Sequence, residues 1–525
     1  MNRLFKTTAL SIILILGLGC SFAKYDLNRI RQQDEAFTKE IMLSSYETDA
    51  YGKESHIAEI YGKHEKLFTD ENLVRFLKDR IEKERNPRER KKAEFLYRDI
   101  SSSFLGERTK ELDDRIFDLQ AKEKIVVEKD TIAFRDIDVL LSNEKNGERR
   151  KALYYSQGEM IIDKINPLLT QELNILEKTV KELGYRNYSD YQQQVRGIDF
   201  DSLEENCREI LKETAPIYKA LLSEMARKIL NKRMEDVKVY DRAWLFRGES
   251  FDEYFPKEKM VPIFKSTMLD MGIDVGAQKN ISLDDEDRPE KEPRPATYTI
   301  VVPTDVRVLV KPMGGYSDYG SLFHEMGHAE HSAYTRVSEF EFKDLGDYGV
   351  TEMFAYILEG IVSNPIFMKD KLGMSQKDIK EFTKMNLFYS LSSLRSYCGK
   401  FIFERQLHSG NPDPIKVYQE TSKEALLLDR SHKEAEMIYL LYGDERFYSV
   451  NYLEAWILDA QLRAKLKERF GENWFEKKEA GEYLESLWTT GMEYTSPEMA
   501  KLIKYDKMDP SYLVKDIKQL YDSVK

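Results

Sequence analysis

Three of the chain's seven histidines fall within eight residues, His324-Glu325-Met326-Gly327-His328-Ala329-Glu330-His331, in a sequence of 525. On a helix, His324 and His328 stand one turn apart on the same face, so both imidazoles can reach one metal ion. Glu325 occupies an adjacent part of that turn and can serve as general base on a water without ligating the ion. With histidine this scarce, a chance HExxH is expected roughly 0.01 times in a chain of this composition. The segment therefore has to be a helix, and a second element has to bring it a third ligand. The spaced glycine and third histidine of the metzincin pattern do not follow, so a carboxylate from another helix is expected. Val350 to Gly360 reads as that helix, with Glu352 amid apolar neighbours and Glu359 as the alternative ligand. His331 fits either a supporting role at the metal or a satisfied structural histidine. His56, His64, His408 and His432 have no ligand spacing and read as surface residues.

Composition narrows the function class. The formal net charge of −12 leaves no basic excess to displace counterions from phosphates, which argues against a nucleic-acid partner. Charged residues at 33% exclude a multi-span membrane protein, and 31 Tyr, 26 Phe and 4 Trp require a core, which excludes wholesale disorder. Three cysteines exclude a disulfide scaffold and a cysteine-only zinc framework.

Residues 1–23 read as an export signal. Arg3 and Lys6 form a basic start, Thr7 to Gly19 is apolar and short for a membrane span, and small residues follow. Two processing sites compete: Ser21-Phe22-Ala23 as a cleavage pattern, and Gly19-Cys20 as a lipoprotein junction with Cys20 lipidated. The expected location is outside the cytoplasm: periplasmic, in the cell envelope on a lipid anchor, or secreted, with that anchor as the only membrane contact. Without Cys20, only Cys207 and Cys398 remain; a disulfide between them and two buried free thiols both stay open.

From about Asn28 to Lys279 apolar residues recur at three- and four-residue steps, so the expected region 24–282 is helical. Asn86-Pro87 ends one helix and starts the next, Gly184 stands just past a helix end, and Asn187 to Asp190 supplies caps for another start. The basic run Arg85 to Lys92 reads as a solvated helix face. Residues 283–297 are charged and Pro-rich, hence a surface loop or linker. Tyr298–Val302 and Val306–Val310 read as two strands of a hairpin about Pro303-Thr304-Asp305. Helices return from about Tyr319, and 298–525 is the expected metal-binding region of the same overall fold. The fold class expected is mostly α with a small hairpin.

Asp318 to His331 resembles the histidine-helix core of the thimet oligopeptidase and oligoendopeptidase F family of zinc metallopeptidases. Glu352 with Glu359 is similar to that family's third-ligand helix. Phe447-Tyr448-Ser449-Val450-Asn451-Tyr452-Leu453 resembles its tyrosine-rich segment, and Gly491 to Glu498 a turn near its C-terminus. Lys178 to Tyr191 is similar to a segment shared with the related angiotensin-converting enzyme group. The resemblance implies a two-lobed helical ellipsoid with a deep central channel and one Zn²⁺ at its floor, acting as a monomer on short peptides. It implies His324, His328 and Glu352 as zinc ligands, Glu325 as base, and substrate backbone pairing with the hairpin strand. Tyr452 aligns best with the tyrosine that stabilises the oxyanion, with Tyr448 as a second donor. Two departures stand out. Tyr356 replaces the Asp that, in the angiotensin-converting enzyme group, orients a zinc-bound histidine. The window 440–442 holds no histidine donor, so Tyr442, Tyr448 or Arg446 takes that role or the transition state is held less well. The latter leaves the alternative of an envelope lipoprotein that binds zinc and a peptide or partner protein with little or no turnover.

Overall fold

The computed structural model describes residues 25–246, 251–410, 413–443 and 446–525. The expected leader 1–23, Cys20 included, lies outside the described residues. The fold is mostly α, with two small sheets. The local signals in the sequence act where they stand. Asn86 caps the helix Pro87–Lys122, its Oδ1 accepting from Arg88 N at 3.0 Å, with Pro87 at the first turn where no N–H is needed. Gly184 follows the helix Asn166–Glu182 at φ +89°, and Asn187 accepts from Asp190 N at 2.8 Å to start Tyr188–Arg196.

Four expectations change. Residues 24–282 are not helical throughout: β1 (Lys124–Val127) and β2 (Asp130–Ala133) form an antiparallel hairpin. Its turn, Glu128-Lys129, places Glu128 at φ +58° without a glycine or asparagine to announce it. The 283–297 loop starts inside a strand, β3 (Ile281–Asp284), which pairs in parallel with β5 (Asp305–Leu309). The rest is the expected surface loop, exposed along most of its length but anchored by one buried side chain. Lys291, only 2% exposed, donates to the carbonyls of Asp284, Glu286 and Val310 and to Asp284 Oδ1, all at 2.7–2.9 Å. Its buried ammonium thereby has four acceptors, as burial of a charge demands. The basic run is more than a solvated face, since Arg88 pairs with Glu339 at 2.9 Å and with Glu493, and Lys91 with Glu498. Finally, His408 is buried against the Tyr188 and Phe447 rings, with Nδ1 3.3 Å from Glu177 Oε1, and His64 is largely covered beside Phe37.

The hairpin expected at 298–310 forms as β4 (Ala296–Val301) and β5, and the sheet order β3-β5-β4 makes β4 an edge. Most buried apolar side chains gather in two large clusters. One runs from the N-terminal helices to Gln376–Leu407, and the other surrounds the histidine helix. The helix Ser449–Phe470 serves both: Val450, Leu453 and Ile457 face the first cluster, Ala455, Leu458 and Leu462 the second. A helix apolar on opposite faces has to lie inside the body, and this one ties the two cores together. Cys207 and Cys398 are buried free thiols, with burial first and then the neighbouring Cys398 raising the Cys207 thiol well above its ordinary range. Among the described residues no helix is long and apolar enough to cross a membrane.

Candidate metal centre

Two helices build the site. The histidine helix Tyr316–Tyr334 buries Tyr319, Leu322, Phe323, Met326 and Ala333; the glutamate helix Tyr348–Val362 buries Val350, Met353, Phe354, Ile357, Leu358 and Ile361. Those three- and four-residue steps press the helices together, each buried side chain of this size contributing ~1.5–3 kcal/mol. Gly327 permits the contact. A Cβ there would meet Ala355 Cα at 2.6 Å and the Phe354 carbonyl at 2.7 Å. The glycine within the histidine motif is thus a helix-crossing residue.

The crossing aims the remaining faces at one point. Nε2 of His324 lies 3.5 Å, and Nε2 of His328 3.7 Å, from Glu352 Oε2. The three ligand atoms all fall within 4.8 Å of one another. Glu352 Oε2 is buried without a hydrogen-bond partner, so two nitrogens and an orphaned oxygen face a common centre. Burial pushes the Glu352 carboxyl up to about 7, with the neighbouring Glu325 and Glu359 adding to it against His324 and Tyr448. Burial and His324 hold the His328 ring well below its ordinary range, hence neutral and able to ligate. A divalent cation would offset the charge of this set, and two imidazoles with one carboxylate are a donor set that suits Zn²⁺.

The outward edges of both rings are held as well. His324 Nδ1 is 2.9 Å from Glu359 Oε2, and His328 Nδ1 is 2.9 Å from Thr351 Oγ1. A carboxylate accepts only, so Glu359 keeps the proton on Nδ1 and leaves Nε2 of His324 with its lone pair directed inward. Burial alone would lower the His324 ring, but Glu359, Glu325 and Glu352 together outweigh it and the net shift is upward. Glu359 is therefore not in the ligand group. It stands on the far edge of the ring, two turns beyond Glu352, with Tyr356 between them set edge to face against His324 at 5.3 Å.

Glu325 points to the other side. Thr297 Oγ1 of β4 lies 2.8 Å from both its backbone carbonyl and its Oε2, and burial raises its carboxyl above the ordinary range against His324, Thr297 and Arg294. Glu325, His328 and Glu352 line a cavity of about 810 Å³, together with β4, Tyr448 and Tyr348. Phe37, Ile41, Asp99 and Ser103, from the helices Leu27–Tyr51 and Pro87–Lys122, form its facing wall.

The tyrosines divide. Tyr448 lines the cavity, and its hydroxyl faces the Glu352 carboxyl. The Tyr452 ring packs on Tyr448 at 5.2 Å, on Tyr397 at 5.3 Å and on Tyr356 at 6.5 Å. Tyr442 and Arg446 are engaged elsewhere. The Tyr442 hydroxyl donates to the Ser396 carbonyl at 2.6 Å, and Arg446 pairs with Glu172 and Asp113. His331 takes the structural role: it is buried, with Nε2 3.1 Å from the Gly491 carbonyl. Thr297, Thr351 and Arg294 escaped the sequence reading. Period-two alternation along β4 places Thr297 and Thr299 on one face, the only signal that could have drawn attention to either. The sequence matches no known protein-family model and no curated protein.

Proposed function

We propose that the chain is a zinc-dependent peptidase hydrolysing short peptides. The observation that carries this reading is the convergence of His324 Nε2, His328 Nε2 and the unpartnered Glu352 Oε2, with Glu325 beside them on the cavity wall. Zn²⁺, when bound, polarises a carbonyl and lowers the pKa of a water. Glu325, raised by burial and steadied by Thr297, takes a proton from the attacking water and returns it to the leaving amine. Tyr448 reaches the same space and donates to the developing oxyanion, with Tyr452 packed behind it. The edge strand β4 runs along the cavity and offers backbone groups to an extended peptide. Residues 1–23 we read as an export leader, with either processing site. The absence of histidine at 440–442 favours a second reading, a zinc-holding envelope protein that binds peptides without turnover. Quenched fluorescent peptides of graded length, assayed alongside metal content, separate the two. Cleavage lost on chelation and restored by zinc supports the first; peptide binding by zinc-loaded protein without cleavage supports the second.

A further inference from the structure

Beside the main cavity lies a smaller one of about 150 Å³, whose lining includes Arg98, Gln192, Arg196 and Asn451. Tyr348 and Tyr448 line both, so the two spaces adjoin across these rings. Asp99 and Asp347 also line the small cavity, yet its two guanidiniums donate elsewhere. Arg98 donates to the carbonyls of Leu345 and Gly346. Arg196 donates to Gln192 Oε1 at 2.9 Å, to Asn451 Oδ1 at 3.1 Å and to the Arg446 carbonyl at 3.5 Å. Among the described residues neither guanidinium has a carboxylate within 4.0 Å, although both are permanently charged and largely covered. Asn451 is 3% exposed, and the bond from Arg196 to its Oδ1 fixes the orientation of its amide. Its Nδ2 is left buried with no acceptor.

The nearby acids do not fill the gap. Asp347 is occupied by the N–H groups of Gly349 and Ser496 at 2.8 and 2.7 Å. Asp99 packs against Asp34, whose two buried oxygens accept no hydrogen bond, and burial raises both carboxyls. Burial also lifts the Glu454 carboxyl well above its ordinary range, against the pull of Arg196. Asp99 and Asp347 still disfavour a doubly charged ligand such as phosphate, which leaves a monoanion.

We propose that this cavity binds a carboxylate of the bound peptide, held by Arg196, Arg98 and Asn451 Nδ2, and so directs cleavage to peptide bonds near the carboxylate end. The assignment rests on the peptidase reading for its substrate. The carboxylate comes from the C-terminus or from an acidic last side chain, and the two have the same chemistry.

The test measures binding separately from turnover. Zinc-loaded Glu325→Gln protein is titrated with three peptides of one sequence: the free acid, the C-terminal amide, and an amide ending in Glu. The free acid is expected to bind about 10- to 100-fold more tightly than the plain amide. Arg196→Gln, added to that protein, should collapse the difference to within about twofold; if it does not fold, Asn451→Asp should do the same by placing an anion in the site. Tight binding of the Glu-ended amide assigns the site to a side-chain carboxylate, and weak binding assigns it to the C-terminus. Equal affinity for acid and plain amide, including no measurable binding of either, overturns the proposal. If wild type cleaves no peptide yet the acid–amide difference persists, the peptidase reading fails and the carboxylate site stands.

Discussion

The Glu359 carboxylate stands 2.9 Å from Nδ1 of His324, on the edge of the ring opposite the Glu352 carboxyl at Nε2. The two glutamates lie two turns apart on one helix face and grip a single imidazole from either side. Such an outer contact fixes the tautomer and raises ligand basicity, typically worth 10- to 100-fold in metal affinity. Glu359→Ala is therefore expected to keep the fold and weaken zinc binding by about that factor, whereas Glu352→Ala should abolish stoichiometric binding. Competition with a metal-sensing dye measures both, and equal affinity of Glu359→Ala and wild type would show that the contact does not support the metal.

Glu325 has no part in the ligand set, so Glu325→Gln should retain one zinc per chain while peptide hydrolysis falls by about 10²- to 10⁴-fold. Metal analysis and a turnover assay on one sample check this. Cleavage at the wild-type rate would remove Glu325 from the mechanism.

Tyr448 and Tyr452 can be told apart by loss of one oxygen. Because only Tyr448 is placed on the cavity wall, Tyr448→Phe should lower kcat by about 10- to 100-fold with KM nearly unchanged. Tyr452→Phe keeps the ring that packs on Tyr448 and should cost less. Steady-state kinetics giving the reverse order would assign the oxyanion contact to Tyr452.

Gly327→Ala tests the helix crossing. The added methyl meets backbone atoms that cannot turn aside, so overpacking of about 1–3 kcal/mol is expected, with a lower Tm and weaker zinc binding. An unchanged Tm would mean that the helices separate without cost.

Glu330, fully buried on the histidine helix, accepts from Gln278 Nε2 at 2.7 Å, and burial pushes its carboxyl up to about 8. An unfolded glutamate releases its proton near pH 4.5, while the folded one keeps it until about pH 8. Its contribution to stability is thus complete below about pH 4.5 and is lost as pH rises to about 8, a change on the order of 5 kcal/mol. Glu330→Gln carries no such ionisation. Its Tm should gain on wild type progressively across that window, measured with a chelator present throughout so that metal occupancy stays constant. A constant Tm difference from pH 5 to 8 would show that Glu330 is ionised in the folded protein.

The parts of the site that were legible in the sequence are those set by spacing within one helix. His324 and His328 at four residues, Glu325 between them, and Glu352 in an apolar helix all take positions decided by 3.6-residue geometry; the structure brings the two histidines and Glu352 together and sets Glu325 on the cavity wall beside them. Where the local signal was weak the reading failed. Four-residue strands such as Lys124–Val127 and Ile281–Asp284 are too short to interrupt a helical pattern, and a histidine such as His408 shows nothing in sequence of the rings that cover it.

By itself the sequence determined a mostly helical chain, the helix that carries the histidines, and the ligand types that suit zinc. Only the tertiary structure decided which glutamate joins the two histidines and which takes the ring edge, that Thr297 steadies Glu325, and that Arg98, Arg196 and Asn451 enclose one space. Helical periodicity orients side chains on one element, but contacts across hundreds of residues depend on how cores pack. At Gly327 that packing is as close as backbone atoms allow.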